Sequence, residues 1–543
     1  MRMKALGRIA VLAAVWVGAL LITAGCARDE RAVDRGVQEG ILYLGNGAEP
    51  PDLDPHISTG VPEFHIMDAL FEGLVDIEPE TGALVPGLAE RWEMSADGKT
   101  YTFYLQPNAK WSDGVPIEAP EIIRGYERAI NPSFGAEYAY LFEIVRGAVA
   151  YNRGETTDFS TVGFEAPDAR TLVVHLEHPV PYFLTLMTYE AWNPVPMHVI
   201  EATGEPYRRG SGWTKAGVLA SSGPFRLKSW QPNRVIIVDR NPHYWDADVV
   251  SLNEIHFFPI ESIDTEERMF RSGQLHKTSE VPLTKIETYA AMPESPLRLD
   301  PQWGTYYYRF NVTRPPFDDA RVRRALAMAI DRTAIVENIT RGGEQPAHSF
   351  SPPGTGGFTP IATVSRDLEA ARALLAEAGY PGGEGFPAAE LLYNTSEKHR
   401  ALAEAIQQMW KRDLGIDVTL YNQEWKVYLD SLKNLDYGIA RSGWVSVYAD
   451  ANQYLEIMTT GNPNNRTGWG IEEYDTLHAR SMAELDPAKR MTMLQELDAI
   501  LLREMPVAPI YHYSQGYLLD PRVKHWYPNP LDKHPYKYVR LEE

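Results

Sequence analysis

The stretch Ala89 to Pro116, AERWEMSADGKTYTFYLQPNAKWSDGVP, restricts what this chain can fold into more than any other. Trp92 to Met94 is strand-like. Asp97-Gly98 is a turn, because both residues tolerate the backbone that a tight hairpin needs. From Thr100 to Leu105 the residues are aromatic and β-branched with period two, so Tyr101, Phe103 and Leu105 share one face. Trp111 follows, then a second turn at Asp113-Gly114. The reading is a β-meander buttressed by tryptophans. With 40 prolines and 29 tyrosines, the chain predicts a mixed fold with many ordered loops rather than a helical bundle.

The 543 residues suggest two to four domains of roughly 100–200 residues each. A net charge of −21 argues against nucleic acid, which wants a basic stripe, and suits a self-repelling soluble surface. The one cysteine, Cys26, excludes an intramolecular disulfide. Its setting is distinctive. Arg2, Lys4 and Arg8 form a basic start, Ile9 to Ile22 is apolar, and Thr23-Ala24-Gly25 supplies small residues. This predicts a secretory signal over 1–25, too short to span a bilayer as a mature helix. Cys26 is then the expected lipidation site. Thr23 stands where such signals usually carry Leu. Several acyl chains anchor firmly where one does not. Residues 26–40, charged from Asp29 to Glu39, read as a tether.

Along the mature chain, Ile41 to Leu44 is a short strand, and Gly45 to Pro55 is too proline-rich for a helix. Phe64 to Leu74 has a helical period. Glu118 to Ala129 is a helix and Thr171 to Leu176 a strand. On that strand His175 and His178 face opposite ways and predict no metal pair. From Tyr306 onward, strands and helices alternate: Glu390 to Asn394, His399 to Leu414, Val418 to Tyr421, Trp425 to Leu432, Tyr437 to Arg441. That alternation predicts a mostly parallel sheet with covering helices. Asp318-Asp319 and Asp331 read as helix caps. No G-x-S-x-G, H-E-x-x-H or G-x-x-x-x-G-K-[ST] string is present, so hydrolase, zinc-protease and nucleotide-loop chemistry lack their motifs. The expectation is a protein that is not an enzyme and needs no cofactor.

The meander string, together with GNGAEPPDLDP, Phe71-Glu72-Gly73-Leu74 and Asn241-Pro-His-Tyr-Trp245, resembles the solute-binding proteins of peptide and nickel ABC importers (family 5), its oligopeptide binders above all. The resemblance runs from about Gly45 to the C-terminus. It implies an α/β clamshell of the periplasmic binding protein type II kind, with two lobes and three domains joined by a two-crossing hinge. Domain I would comprise 41–71, 195–303 and 514–543, and an inserted domain II would span 72–194. Domain III, the second lobe, would span 304–513, with crossings near Gly304 and Ser514. It also implies a monomer, exported and held by lipid on the extracytoplasmic face of the bacterial envelope. Such a protein would deliver its ligand to membrane permease subunits powered by a separate ATPase.

The resemblance also implies a site. Ile439 to Tyr448, IARSGWVSVY, is similar to the family's ligand strand. There Gly443 would admit a ligand backbone in the manner of strand addition. Trp444 and Trp425 would wall side-chain pockets, and Arg441 would offer a charged fork. His399 matches a position that meets peptide C-termini, and Val61 and Tyr138 match ligand-facing positions of the first lobe. The family's oligopeptide-binding members carry a cysteine pair joining the start of the second lobe to its ligand loop; here Gly304 and Val445 stand at the two positions. Where peptide binders carry an Asp that accepts the ligand's α-ammonium, this chain carries Val447. Asp450 is the nearest substitute, or it caps the following helix. A buried ammonium without a partner costs several kcal/mol. The expected ligand is therefore peptide-like with a blocked, cyclic or absent amino terminus, ahead of ordinary oligopeptides and of a non-peptide solute such as a sugar. A membrane-anchored receptor without a transport role is the remaining alternative.

Overall fold

A computed structural model describes residues 31–543, except 181, 447, 449 and 485, and only the backbone of 301. The chain forms a two-lobed α/β clamshell. The first lobe holds two four-stranded sheets. In one, Ile41–Gly45 runs parallel to Glu254–Phe258, followed by Val235–Arg240 and Phe225–Gln231. Leu42, Phe225, Ile236, Val238, Ile255 and Phe257 fill its core, and Tyr517, Tyr536 and Val539 of the C-terminal tail pack into the same core. Lys537 fixes the tail: its ammonium lies 2.8 Å from Glu72 and 2.7 Å from Asp76, all three nearly buried.

The other sheet orders Ala89–Met94, Thr100–Leu105, Thr171–His175 and Phe164–Asp168. Tyr101, Phe103 and Leu105 point into one core with Trp111, as the period of two requires. The indole N–H of Trp111 donates to Glu121 at 2.8 Å, so its one polar atom is satisfied. Gly98 and Gly114, at φ +69° and +92°, occupy the left-handed region that the two turns demand.

The second lobe is built on a six-stranded sheet in the order Gln345–Pro346, Val507–Leu518, Leu297–Phe310, Ile439–Val445, Ala389–Asn394 and Val418–Gln423. The expected mostly parallel sheet is corrected to a mixed one. Only the pairings of Ala389–Asn394 with its two neighbours are parallel; those involving the two long strands are antiparallel. The reason is topological: one long strand enters the lobe and the other leaves it. They pair from Leu297↔Leu518 to Arg309↔Val507, with register irregularities between Pro301 and Thr305 and between Tyr306 and Tyr307. The hinge is thus a two-stranded ribbon, irregular where it crosses between lobes, as bulged ribbons bend locally.

Two further expectations change. The stretch read as a tether is, over Ala32–Glu39, a helix closed by Gly40 in the left-handed region. Val33 is buried in it and Asp34 pairs with Arg522 at 2.8 Å, so it is docked on lobe 1; residues 26–30, with the Cys26 site, lie outside the described residues. The helix expected from Phe64 instead runs Val61–Leu70. Pro62 suits the first turn, where its missing N–H costs nothing, and Phe71 has already left helical geometry. Among the described residues, no helix is long and apolar enough to cross a membrane.

Candidate functional site

The strand Ile439–Val445 lies between two others, but its partner on one side is short. Ala389–Asn394 pairs with it only at Ile439 and Ala440, whereas Leu297–Phe310 follows it to Val445. From Arg441 to Val445 the second edge therefore has no strand beside it among the described residues. An open edge of this kind receives an extended chain by backbone hydrogen bonds. One acceptor there is taken: Tyr428 donates to the Arg441 carbonyl at 2.5 Å.

Two adjoining chambers flank this edge, where the lobes meet. The larger, about 240 Å³, is lined by Val61 and His65 from lobe 1 and by Lys398, His399, Trp425 and Arg441 from lobe 2. The smaller, about 160 Å³, is lined by Val61, Tyr138, Tyr189, Trp425, Gly443 and Trp444. Val61, Trp425, Arg441 and Tyr513 border both. A larger cavity of about 940 Å³ lies against Glu143, Tyr182, Tyr448, Glu456 and His478; it touches none of the described candidate residues.

The structure gathers most of the residues expected from sequence. Arg441 stands at the junction. Its guanidinium donates to Asn394 Oδ1 at 3.2 Å and to the Tyr513 hydroxyl at 3.0 Å, and lies 4.9 Å from the Tyr306 ring centre. Its Nε–H is buried and has no acceptor, and no carboxylate pairs with it among the described residues. Trp444 packs its ring 6.4 Å from Tyr138, across the lobe boundary, and its indole N–H is likewise buried without an acceptor. Trp425 stacks on Tyr428 at 5.5 Å. His399 begins the helix Glu397–Leu414, which Ser396 caps. Burial, with the charges of Arg441 and Lys398 beside it, holds its pKa well below the ordinary histidine value, so it is neutral and offers one ring N–H at most.

Gly443 lines the smaller chamber and has a structural purpose as well. A Cβ there would strike the Tyr513 hydroxyl, so the glycine admits Tyr513, which in turn orients Arg441. Asp450 is not brought to either chamber. It makes a two-pronged ion pair with Arg490 at 2.8 and 3.0 Å and accepts from the Asn452 N–H at 2.9 Å; it is a helix-start residue held by an arginine. Val447 lies outside the described residues. Gly304 and Val445 are direct cross-strand partners, the relation that a cysteine pair at these positions would need.

Sequence reasoning missed the charged wall of lobe 1. Asp532 accepts from His65 at 3.2 Å and lies 3.4 Å from His534. Burial opposes its charge, but the two histidines hold its pKa well below the usual carboxylate range. Lys533 lies 3.1 Å from Glu190 and 3.5 Å from Asp68. Every carboxylate lining the smaller chamber is therefore already paired. In the larger chamber Lys398 pairs with Glu344 at 3.1 Å, while Glu261 and Glu280 line the wall with no ion pair among the described residues. The signal for Lys398 was present in the sequence, one residue before His399 at a capped helix start. For Asp532 and Lys533 there was none, since they reach the site only through the returning tail.

The profile of the bacterial extracellular solute-binding proteins, family 5 (middle region), matches residues 83–466. The chain belongs to that family. The periplasmic oligopeptide-binding protein OppA of Salmonella typhimurium is 33% identical over 524 residues, covering 94% of each chain. Among solved family 5 structures, Haemophilus influenzae OppA in complex with the peptide RPPGFSPFR superposes with a TM-score of 0.88 at 32% identity, over 93% of this chain and 99% of that one. The Escherichia coli murein tripeptide-binding protein MppA gives 0.88 at 34% identity, over 93% and 98%, but 0.63 in its unliganded open form, at 33% identity over 93% and 98%. The lobes of this chain are thus arranged as in the peptide complex rather than as in the open form.

Proposed function

We propose that this chain is the solute-binding lipoprotein of an ABC importer, capturing a peptide-like ligand between its lobes and handing it to membrane permease subunits. The observation that carries the reading is Arg441. A guanidinium at the junction of two inter-lobe chambers, with neutral partners only and one N–H unmatched, is a cation awaiting an acceptor. A buried donor left unmade costs about 1–3 kcal/mol, and a ligand carboxylate or carbonyl would satisfy it. The open edge of Arg441 to Val445 favours a ligand with an extended backbone over a sugar. The peptide named in the H. influenzae complex and the murein tripeptide of MppA belong to the same class of ligand.

The reading includes an amino terminus that is blocked, cyclic or absent. In the smaller chamber Asp532 is held by His65 and His534 and Asp68 and Glu190 share Lys533, Asp450 is engaged by Arg490, and position 447 carries valine. No free carboxylate near Trp444 is left to meet an α-ammonium. Native mass spectrometry of the species that co-purifies tests this: a peptide-like mass without a free α-amine supports the reading, and a sugar or a free-amine peptide contradicts it. Attachment through Cys26 is tested by labelled palmitate, whose incorporation Cys26→Ser should abolish; unchanged labelling would remove the anchor from the proposal.

A further inference from the structure

The larger chamber holds negative charge that nothing around it matches. Glu261 and Glu280 line it from lobe 1, and neither makes an ion pair or a side-chain hydrogen bond among the described residues. The cations that share the chamber are engaged elsewhere. Lys398 is bonded to Glu344 at 3.1 Å, His65 to Asp532 at 3.2 Å, and Arg441 to Asn394 and Tyr513. Further acids stand close by. The Ile263 N–H, two residues after Glu261, donates across the seam to Glu397 of lobe 2 at 3.3 Å. Burial first, and then the charges of Glu424 and Glu397, push the pKa of Glu261 above the usual glutamate value.

An independent acceptor joins them. Asn46 is 2% exposed and lines the same chamber. Its amide nitrogen donates to the carbonyls of Pro62 at 3.0 Å and Ala48 at 3.4 Å, which fixes the orientation of the amide. The atom left over is Oδ1, buried and with no donor. A buried acceptor left unsatisfied is costly. The segments carrying Asn46 and Glu280 run side by side: the Gly45 N–H donates to the Lys277 carbonyl at 2.9 Å, and a Cβ on Gly47 would lie 3.5 Å from the Ser279 hydroxyl oxygen.

The rest of this wall is apolar, with Ile260, Ile263, Val281, Leu283 and Ile286 lining it. An apolar wall that carries carboxylates and an amide oxygen fits a methylene stem with a cationic head. At about 240 Å³ the chamber is smaller than the ~300–1,000 Å³ usual for a whole drug-sized ligand; it is a space for one side chain. A ligand strand on the Arg441 to Val445 edge sends alternate side chains to opposite sides. Arg441 and Trp425 border the chamber, so a ligand residue beside them reaches it.

We propose that the larger chamber selects a ligand residue with a long cationic side chain, an amine or guanidinium on an apolar stem, whose head is received by Glu280, Glu261 and Asn46 Oδ1. This rests on the peptide-like reading above and names the residue class that the ligand carries. The charge is on a side chain, so it is compatible with a blocked α-amine. All three acceptors belong to lobe 1, so the wall exists whether the lobes are open or closed.

The test is competition among N-acetyl tripeptides carrying Lys, or norleucine with the same stem and no ammonium, at each position, read by native mass spectrometry. At one position the wild type should capture the Lys member roughly tenfold over its norleucine counterpart, as a charge-assisted bond predicts. Glu280→Gln should lose most of that preference, Glu280→Asp should retain part, and Glu261→Gln combined with Glu280→Gln should lose all of it. Both glutamates are partly exposed, so neither change removes a core group, and the ratio is read within each variant. No Lys preference at any position in the wild type, or a Lys preference that survives the double variant, would overturn the proposal. If no tripeptide is captured, the peptide-like reading fails, and the chamber is judged by 1-butylammonium. Crystals of the ligand-free protein grown with its chloride should show the ammonium against Glu280 and Asn46; a chamber without it overturns the proposal.

Discussion

The two walls of the inter-lobe site solve the same electrostatic problem in opposite ways. On lobe 1, Asp532 is matched by His65 and His534, and Asp68 and Glu190 by Lys533. On lobe 2, Arg441 and Trp444 keep N–H groups with no acceptor. Around the smaller chamber, where lobe 1 is self-paired, that wall gains nothing from a charged ligand. The unpaired wall loses by its absence, because a desolvated donor is satisfied only when something arrives. On the proposed function, lobe 2 is therefore where recognition energy for the ligand backbone would reside, with lobe 1 closing over it.

That contrast breaks most sharply at Arg441. Arg441→Met should weaken binding of the co-purifying ligand roughly a hundredfold, from the 2–5 kcal/mol that truncating a buried charged partner costs. Titration calorimetry on refolded, ligand-free protein reads this directly; unchanged affinity would move the recognition wall elsewhere. By contrast, His65→Ala on the paired wall should change affinity far less.

The next effect concerns the seam itself. Glu63 is fully buried, its carboxylate has no hydrogen-bond partner, and a Cβ on Gly60 would touch both it and the Trp425 ring of the other lobe. Burial pushes its pKa up to about 7. The folded value lies above the unfolded one, so the folded state binds more protons and stability falls as pH rises. The penalty is absent below about pH 4, grows through pH 5–7 and is constant above. Glu63→Gln should therefore raise stability by about 2 kcal/mol at pH 8 and leave it unchanged at pH 4. Denaturant titration at the two pH values checks it, and an equal shift at both would contradict the assignment.

Asp450 gives a smaller effect and separates folding from binding. Asp450→Asn breaks the pair with Arg490, which is mostly buried, and should cost about 2 kcal/mol of stability with ligand affinity unchanged. A loss of affinity without a loss of stability would restore Asp450 as a ligand counterion.

Much of this was legible in the sequence, for identifiable reasons. The period of two in Thr100 to Leu105 declared its buried face, and the Asp-Gly turns declared its hairpins. Arg441, Trp425, Trp444 and His399 could be named because the ligand strand resembled a known one. Strand direction in lobe 2 was not legible, since a strand buried on both faces reads the same either way. The helix Ala32–Glu39 was hidden because only Val33 and Gly36 are buried in it; its docking depends on Arg522, far along the chain.

The central claim is that lobe 2 offers donors to a peptide-like ligand while every carboxylate of the smaller chamber, beside Trp444, is already paired and so not offered to an α-ammonium. The most direct measurement is calorimetry of the ligand-free protein with trialanine and with its N-acetyl form. The account predicts that acetylation preserves or improves affinity. Submicromolar binding of the free tripeptide that acetylation abolishes would contradict it.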